Sequence, residues 1–344
     1  MSQQDFIFRG LPKPAPERVN MPRDTEGNTY LHELCLNRAP VAMIEEAVRI
    51  LGADMQALNK RKLPPLGMAI LYGDVDTVKG MLVLGSPAYF SIDGGKFFNA
   101  AVLAAHAGRA EILDTVLQHG GGLHVNKPGA VLDSSIPALC AALVRSNIHV
   151  LKALIEAGAA LEQEAGDGLL TPLQMAAEQG TSVAVRMLVD AGADIECRQS
   201  ISGMTALHYA VLANRVPSAE ALLKMGADVN AVNLEGATPL MIAVSQNSRT
   251  MASLLINAGA DVNLQPAEAD NQTALMRAAA KGNVMIVNDL LARGADPLLV
   301  DKFNRTAAKY AYSIGNPVLV DSLDRAEQKA TVDYFEKVQK KYRP

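Results

Sequence analysis

The sequence predicts an all-α solenoid of stacked helix pairs, and three observations carry that prediction. The stretch GMTALHYAVLA at 203–213 returns as GATPLMIAVSQ at 236–246. A frame of Thr, then Pro or Ala, then Leu, with Ala three residues further on, opens at Thr171, Thr205, Thr238 and Thr273, and in reduced form at Thr306; successive threonines stand 34, 33, 35 and 33 residues apart. A second anchor follows each of the first four some twenty residues later: AGAD at 191–194, MGADVN at 225–230, AGADVN at 258–263 and RGAD at 293–296. A period of this length fixes the architecture. One helix pair cannot bury its own apolar face, and adjacent copies bury it for each other.

The same frame extends upstream. Thr29 opens TYLHEL, with LGAD at 51–54; Pro64 opens PPLGMA, with LGSP at 84–87; Asn99 opens NAAVLAAHAG, with HGGG at 119–122; Pro137 opens PALCAALVRSN, with AGAA at 157–160. Nine units then run from about 24 to about 320. Thr followed by Pro starts a helix: the hydroxyl caps free N–H groups, and Pro suits the first helical position. The Leu and the alanines after it recur at helical spacing, and the small Ala pair lets neighbouring first helices approach closely. Second helices read as VAVRMLVDAG (183–192), AEALLKMG (219–226), MASLLINAG (251–259) and VNDLLARG (287–294). Each stops at Gly, the residue that best accepts a left-handed helix end. Units two and three lack the Thr cap, and unit three also lacks the GAD turn, so amide exchange there is expected to be faster than in units five to eight.

The ends differ from the middle. Residues 1–23, with Pro12, Pro14, Pro16 and Pro22, read as an extended Pro-rich N-terminal arm, whose Phe6, Phe8 and Leu11 are suited to dock along the first repeats. Residues 24–320 form the repeat domain. Residues 321–344 read as a C-terminal capping helix, with Val332, Phe335, Val338 and Tyr342 on one apolar face covering the last repeat.

Together these anchors resemble the ankyrin repeat family over nearly nine tenths of the chain. The match is close in units five to eight, clear in one and four, degenerate in two and three and truncated in nine. The resemblance implies β-hairpin-like fingers at the GADVN segments, with Asn230 and Asn263 as finger-base residues making local hydrogen bonds. It implies a His after TPL that bonds the Thr hydroxyl of its own motif. Only His32 and His208 keep that residue, and both read as structural; Gly67, Val102, Cys140, Gln174, Met241, Met276 and Lys309 replace it. It also implies binding of folded proteins through the finger tips and the concave face of the first helices.

Composition fits a binding solenoid and narrows the alternatives. Hydrophobic residues make up 49% of the chain and aromatics only 4%, with no Trp, as expected of a core packed by Ala and Leu. A net charge of −4 and a pI near 5.9 argue against a nucleic-acid partner, which needs a concentrated basic surface. No apolar run reaches membrane-spanning length. MSQQDFIFRG lacks the pattern of a secretory signal, and Cys35, Cys140 and Cys197 fall in three different units. These features suit a reducing compartment, and a cytoplasmic monomer without membrane contact is expected.

Motifs for chemistry are missing from the sequence. GGK at 94–96 lacks the upstream Gly and the following Ser or Thr of a phosphate loop. HELCL at 32–36 has Leu where a zinc protease needs a second His, and no CxxC is present. Cys140 reads as a buried, inert thiol. No metal, cofactor or catalytic residue is expected.

The expected partner-binding residues fall in three groups. Tyr72, His106, Arg145, Glu178 and Leu212 follow the Ala pairs of their units. Ile201 and Met204 sit on the finger SISGM at 200–204. Tyr89, Phe90, Phe97 and Phe98 crowd into AYFSIDGGKFF at 88–98, where unit two turns into unit three. Aromatics are favoured anchors of binding energy. HVNKPGAVLDSSI at 124–136 lengthens the next link, and insertions in solenoids gather on one face. The leading reading is a non-enzymatic protein–protein interaction module, an adaptor, an inhibitor or an immunity-type binder. A bacterial effector acting on host proteins fits the same features. The alternative is an enzyme or enzyme subunit whose site is built from the atypical repeats two to four.

Overall fold

The computed structural model describes residues 11–93, 96–131, 134–164 and 170–341. Phe6 and Phe8 fall outside that range. The chain divides into two compact units, residues 1–172 and 173–344.

The first unit holds four helix pairs among its described residues: α1 (Tyr30–Leu36) with α2 (Val41–Arg49), α3 (Pro65–Tyr72) with α4 (Val75–Val83), α5 (Ala100–Ala107) with α6 (Ala110–Gln118), and α7 (Ala138–Val144) with α8 (Ile148–Glu156). First helices pack on first helices and second on second from one pair to the next. The alanines make this possible: Ala69, Ala104, Ala105, Ala141 and Ala142 are wholly buried, with Leu31, Leu66, Ile70 and Leu139 filling the space between them. Two antiparallel hairpins stand where the sequence departs from the repeat frame. In the first, β1 (Tyr89–Asp93) pairs with β2 (Lys96–Asn99), Phe90 opposite Phe98 and Ser91 opposite Phe97. In the second, β3 (Gly129–Val131) pairs with β4 (Ser134–Ile136).

The second unit holds five pairs among its described residues: α9 (Pro172–Gln179) with α10 (Ser182–Asp190), α11 (Ala206–Leu212) with α12 (Val216–Lys224), α13 (Pro239–Ser245) with α14 (Arg249–Asn257), α15 (Ala274–Ala280) with α16 (Val284–Ala292), and α17 (Ala307–Ser313) with α18 (Pro317–Lys341). The expected boundary at 321 falls inside α18, which is one continuous helix. Its apolar contacts also differ from the expectation. Leu319 and Leu323 are wholly buried, whereas Val332 and Phe335 are 56% and 60% exposed and do not cover the last repeat. The side chain of Val338 and all of Tyr342 lie outside the described residues.

The caps explain how each repeat is joined to the next. Thr238 and Thr273 accept from the backbone N–H of Met241 and Met276, each at 3.2 Å. At Thr29 and Thr205 the cap is reciprocal: the Thr N–H donates to Nδ1 of His32 and His208 at 3.2 Å. The other ring nitrogen, Nε2, lies 2.9 Å from the Leu63 carbonyl in His32 and 3.1 Å from the Ala237 carbonyl in His208, both in the following repeat. Burial pushes the pKa of His208 down to about 4, so its ring is neutral near pH 7. Both histidines are structural. At Gln174, which stands in the place of that His, the bridge to the following repeat is kept. Gln174 donates to the Cys197 carbonyl at 3.0 Å. Gly67 leaves room for a ring, since a Cβ there would lie 3.3 Å from Cε2 of Phe98.

Unit three is capped after all. The Asn99 side-chain oxygen accepts from Ala101 N at 3.0 Å and Val102 N at 3.3 Å, in place of Thr. Pro64 and Pro137, which open units two and four, make no side-chain cap.

The fingers are joined by asparagines. Gly226, at φ 95 with no atom near its would-be Cβ, ends α12 in the left-handed region that favours Gly. Asn230 and Asn263 then bond both locally and across repeats: their N–H groups donate to Asp228 Oδ1 at 2.9 Å and Asp261 Oδ1 at 2.8 Å, and their side-chain oxygens reach the next repeat, Asn230 Oδ1 accepting from Asp261 N at 2.8 Å and Asn263 Oδ1 from Asp296 N at 2.7 Å. Asn126 does the same for Ala160 N at 2.5 Å. So does Asn20, in the N-terminal arm: it accepts from Asp54 N at 2.7 Å and donates to the Gly52 carbonyl at 3.1 Å. With Val19 only 1% exposed and Lys13 paired to Glu46, residues 11–23 lie against the first repeat. They include one 3-10 turn, Pro16–Arg18.

Candidate functional site

The candidate surface is built from the exposed ends of first helices and from the fingers. In the first unit Leu36, Tyr72 and Val144 end α1, α3 and α7 with exposures of 37%, 41% and 50%. Arginine side chains brace the ends of α3 and α5. Arg38 Nε donates to the Tyr72 carbonyl at 3.2 Å, Arg109 to Ile70 at 2.9 Å, and Arg145 Nε to His106 at 3.0 Å. Much of the Arg145 side chain's bonding is therefore inward, although the residue is exposed. His106 sits beneath it, half-buried, with no hydrogen-bond partner for Nδ1 among the described residues. Burial and the Arg145 charge both lower its pKa, so the ring is neutral at pH 7.

The hairpin brings the predicted aromatics together, but mostly against each other. Tyr89 stacks on Phe97 with ring centres 5.2 Å apart and on His124 at 4.9 Å, and Lys127 Nζ lies 5.0 Å from the Tyr89 ring centre. Phe90 meets Phe98 at 5.4 Å. Phe98 is only 3% exposed and fills the space over Gly67, so it belongs to the core and not, as the sequence suggests, to a partner contact. Tyr89, Phe90 and Phe97 are half-exposed on the paired strands.

In the second unit Glu178, next to last in α9, is exposed, and Leu212, which ends α11, is 45% exposed. Arg215 Nε donates to the Glu178 carbonyl at 3.0 Å, and Gln246 Nε2 to Leu212 at 2.6 Å, repeating the braces of the first unit. Ile201 projects from its finger at 69% exposure, while Met204 is half-buried. The finger is stiff: the Gln199 side-chain oxygen accepts from Ile201 N at 3.0 Å and Ser202 N at 2.6 Å. Leu234 and Phe303, absent from the residues expected at the sequence level, top later fingers at 64% and 57% exposure. Leu234 lies against Gly203, whose Cβ, if present, would come within 2.8 Å of Leu234 Cγ. Their signal is an apolar residue at a finger tip, the same signal that singles out Ile201.

Burial pushes the Cys140 thiol up to about 12, leaving it protonated and unreactive near neutral pH. Cys35 is also wholly buried and raised. Among the described residues no group of three or more His, Cys, Asp or Glu is placed to hold a metal ion. Among them, too, no helix is long and apolar enough to cross a membrane.

A family model described as ankyrin repeats matches in three copies, over residues 139–233 and 225–301. The zebrafish (Danio rerio) protein named "Putative palmitoyltransferase ZDHHC13" is 32% identical over 182 residues, which is 53% of this chain and 28% of that protein. Inversin from Gallus gallus is 28% identical over 177 residues, 48% of this chain and 13% of inversin. Human inversin is 39% identical over 66 residues, 19% of this chain and 6% of its own length. The chain thus spans less than a third of each of these relatives.

Proposed function

We propose, from the premise that this chain belongs to the ankyrin repeat family, that it grips a folded protein through the exposed ends of its first helices and its finger tips. Ankyrin repeats are protein–protein interaction modules. The finer reading is a non-enzymatic adaptor or inhibitor acting as a monomer in the cytoplasm. The observation that carries it is a series of large exposed apolar side chains on each unit, with Tyr72, Leu212 and Ile201 standing where side-chain hydrogen bonds brace the backbone. They are Leu36, Tyr72 and Val144 in the first unit, and Leu212, Ile201 and Leu234 in the second. Singly exposed apolar residues are ordinary, but a row of them at repeat spacing marks an interaction surface. Half-exposed Tyr89, Phe90 and Phe97 add preordered aromatic area to the first unit.

Site-directed photo-crosslinking tests this. A benzophenone amino acid is placed at Tyr72, Phe97, Ile201 or Leu212, and as controls at Lys152 or Lys224 on second helices. The same protein should be captured from all four surface positions and competed away by unlabelled chain. Capture from the second-helix controls alone would overturn the reading.

A further inference from the structure

The last helix is longer than its place in the stack requires. Among the described residues the other second helices have nine residues each, whereas α18 has 25. Leu319 and Leu323 dock its first turns on the last repeat, but every residue from 331 to 337 is exposed. Val332 and Phe335, 56% and 60% exposed, share one face at a spacing of three. Tyr334 meets Phe335 edge-on, with ring centres 6.0 Å apart. Toward the repeat the same face borders a groove between α18 and Leu298, lined by Asp324, Glu327, Gln328, Thr331 and Val332. Arg325, which lies between the two acids in sequence, pairs with Asp321 at 2.6 Å. Asp324 and Glu327 have no cation at ion-pair distance among the described residues.

Charge is divided along this helix. Residues 321–336 hold Asp321, Asp324, Glu327, Asp333 and Glu336 against Arg325 and Lys329. Residues 337–341 hold Lys337, Lys340 and Lys341 and no acid. A helix with an acidic half followed by a basic end complements a copy of itself run in the opposite direction. A parallel pair would set acid on acid and base on base, which is repulsive.

We propose that the open end of α18 is a self-association surface, on which a second copy of this chain docks its own α18 antiparallel. The two-fold axis pairs Val332 of each copy with Phe335 of the other, because an isologous contact is made twice. The same register sets residues 337–341 of one helix alongside Asp324 and Glu327 of the other. Apolar side chains then lose water at the centre and opposite charges flank them, the usual layout of an interface. Two short helices bury less than the roughly 1,200 Å² of a stable interface, so the dissociation constant is on the order of 100 µM. The inference goes beyond the partner grip proposed above, which one copy makes, and the monomer is the dilute form.

Sedimentation equilibrium of the full chain tests this. From about 5 to about 500 µM the weight-average mass should rise from 36.5 kDa toward twice that value. About 0.5 M NaCl should weaken the association several-fold by screening the charges. Phe335→Asp alters an exposed position, so it should keep the fold by circular dichroism and weaken association about tenfold or more. The double variants Asp324→Lys with Glu327→Lys, and Lys337→Glu with Lys340→Glu, should each stay monomeric, and mixing them should restore the dimer. A constant 36.5 kDa, undiminished association in Phe335→Asp, or a mixture no heavier than its components overturns the proposal. Partner capture through first helices and fingers is read separately by crosslinking and stands in each of those cases.

Discussion

Replacing Asn99 with Ala should unfasten the third repeat at two places at once. Asn99 is 2% exposed. Its side-chain oxygen caps α5 through Ala101 N and Val102 N, at 3.0 and 3.3 Å. Its amide group donates to the carbonyls of His124 at 3.0 Å and Lys127 at 2.7 Å, pinning the segment that leads into β3. Losing a cap costs about 1 kcal/mol. Each amide–carbonyl bond contributes about 1 kcal/mol more, and the two carbonyls are left without that donor. The expected destabilisation is therefore about 3 kcal/mol, felt locally because each repeat contacts only its neighbours. Asn99→Thr, which adopts the residue used by the standard repeats, should restore only the cap and recover about 1 kcal/mol. Asn99→Asp keeps the cap but sets a carboxylate against two carbonyl oxygens, and should do worse than Thr. Urea unfolding followed by circular dichroism gives the magnitude, and amide exchange over residues 100–107 and 124–131 gives the location. A loss below about 0.5 kcal/mol for Ala, the range of an ordinary surface change, or a Thr variant as stable as the parent, would refute the double role.

Three further outcomes follow from the packing. The His208 pKa lies near 4 in the folded chain, against an ordinary 6.5, so its contribution is complete above pH 6.5 and disappears as pH falls toward 4; His32 is shifted in the same direction. His208→Gln, which installs the residue that bridges to the next repeat at Gln174, should flatten the stability–pH curve in that window by an amount on the order of 3 kcal/mol at its limit, and a curve of unchanged slope would contradict the neutral-ring bridge. Phe98→Ala should cost about 3 kcal/mol by emptying the space over Gly67, while half-exposed Phe97→Ala costs clearly less; equal melting points for the two variants would remove Phe98 from the core. Asn20→Ala breaks the bonds to Gly52 and Asp54, so limited proteolysis within residues 11–23 should quicken several-fold, and an unchanged cleavage rate would mean that the arm is held by other contacts.

The repeat register is legible in the sequence because its determinants lie close together in the chain. Thr205 and His208 are three residues apart, and their bond is written in one short motif. What is not legible depends on partners a full repeat away. Asn20 reads as part of a Pro-rich arm until Gly52 and Asp54, 32 and 34 residues on, are seen to complete the pattern of Asn230 and Asn263. Phe98 reads as a surface aromatic because nothing nearby reveals that Gly67 has vacated space for it. Asn99 hides the cap of unit three because the Thr frame excludes it by residue type, although Asn caps as well as Thr does. On α18 the helical spacing of Val332 and Phe335 is real, but spacing cannot tell a covered face from an open one; Leu319 and Leu323 supply the covered one. Of the candidate site, the helix-end residues Tyr72 and Leu212 and the finger residue Ile201 are exposed as expected, since their place in the repeat sets their exposure. The hairpin aromatics divide differently, because strand register decides which ring faces inward.

Hydrogen–deuterium exchange of the full chain, free and bound to the protein captured by crosslinking, tests the proposed grip most directly. Protection should appear on the exposed ends of the first helices, on β1 and β2, and on the fingers around Ile201 and Leu234, with the second helices α4, α8, α12 and α14 unchanged. Protection confined to those second helices, with the first helices and fingers exchanging as in the free chain, would contradict it.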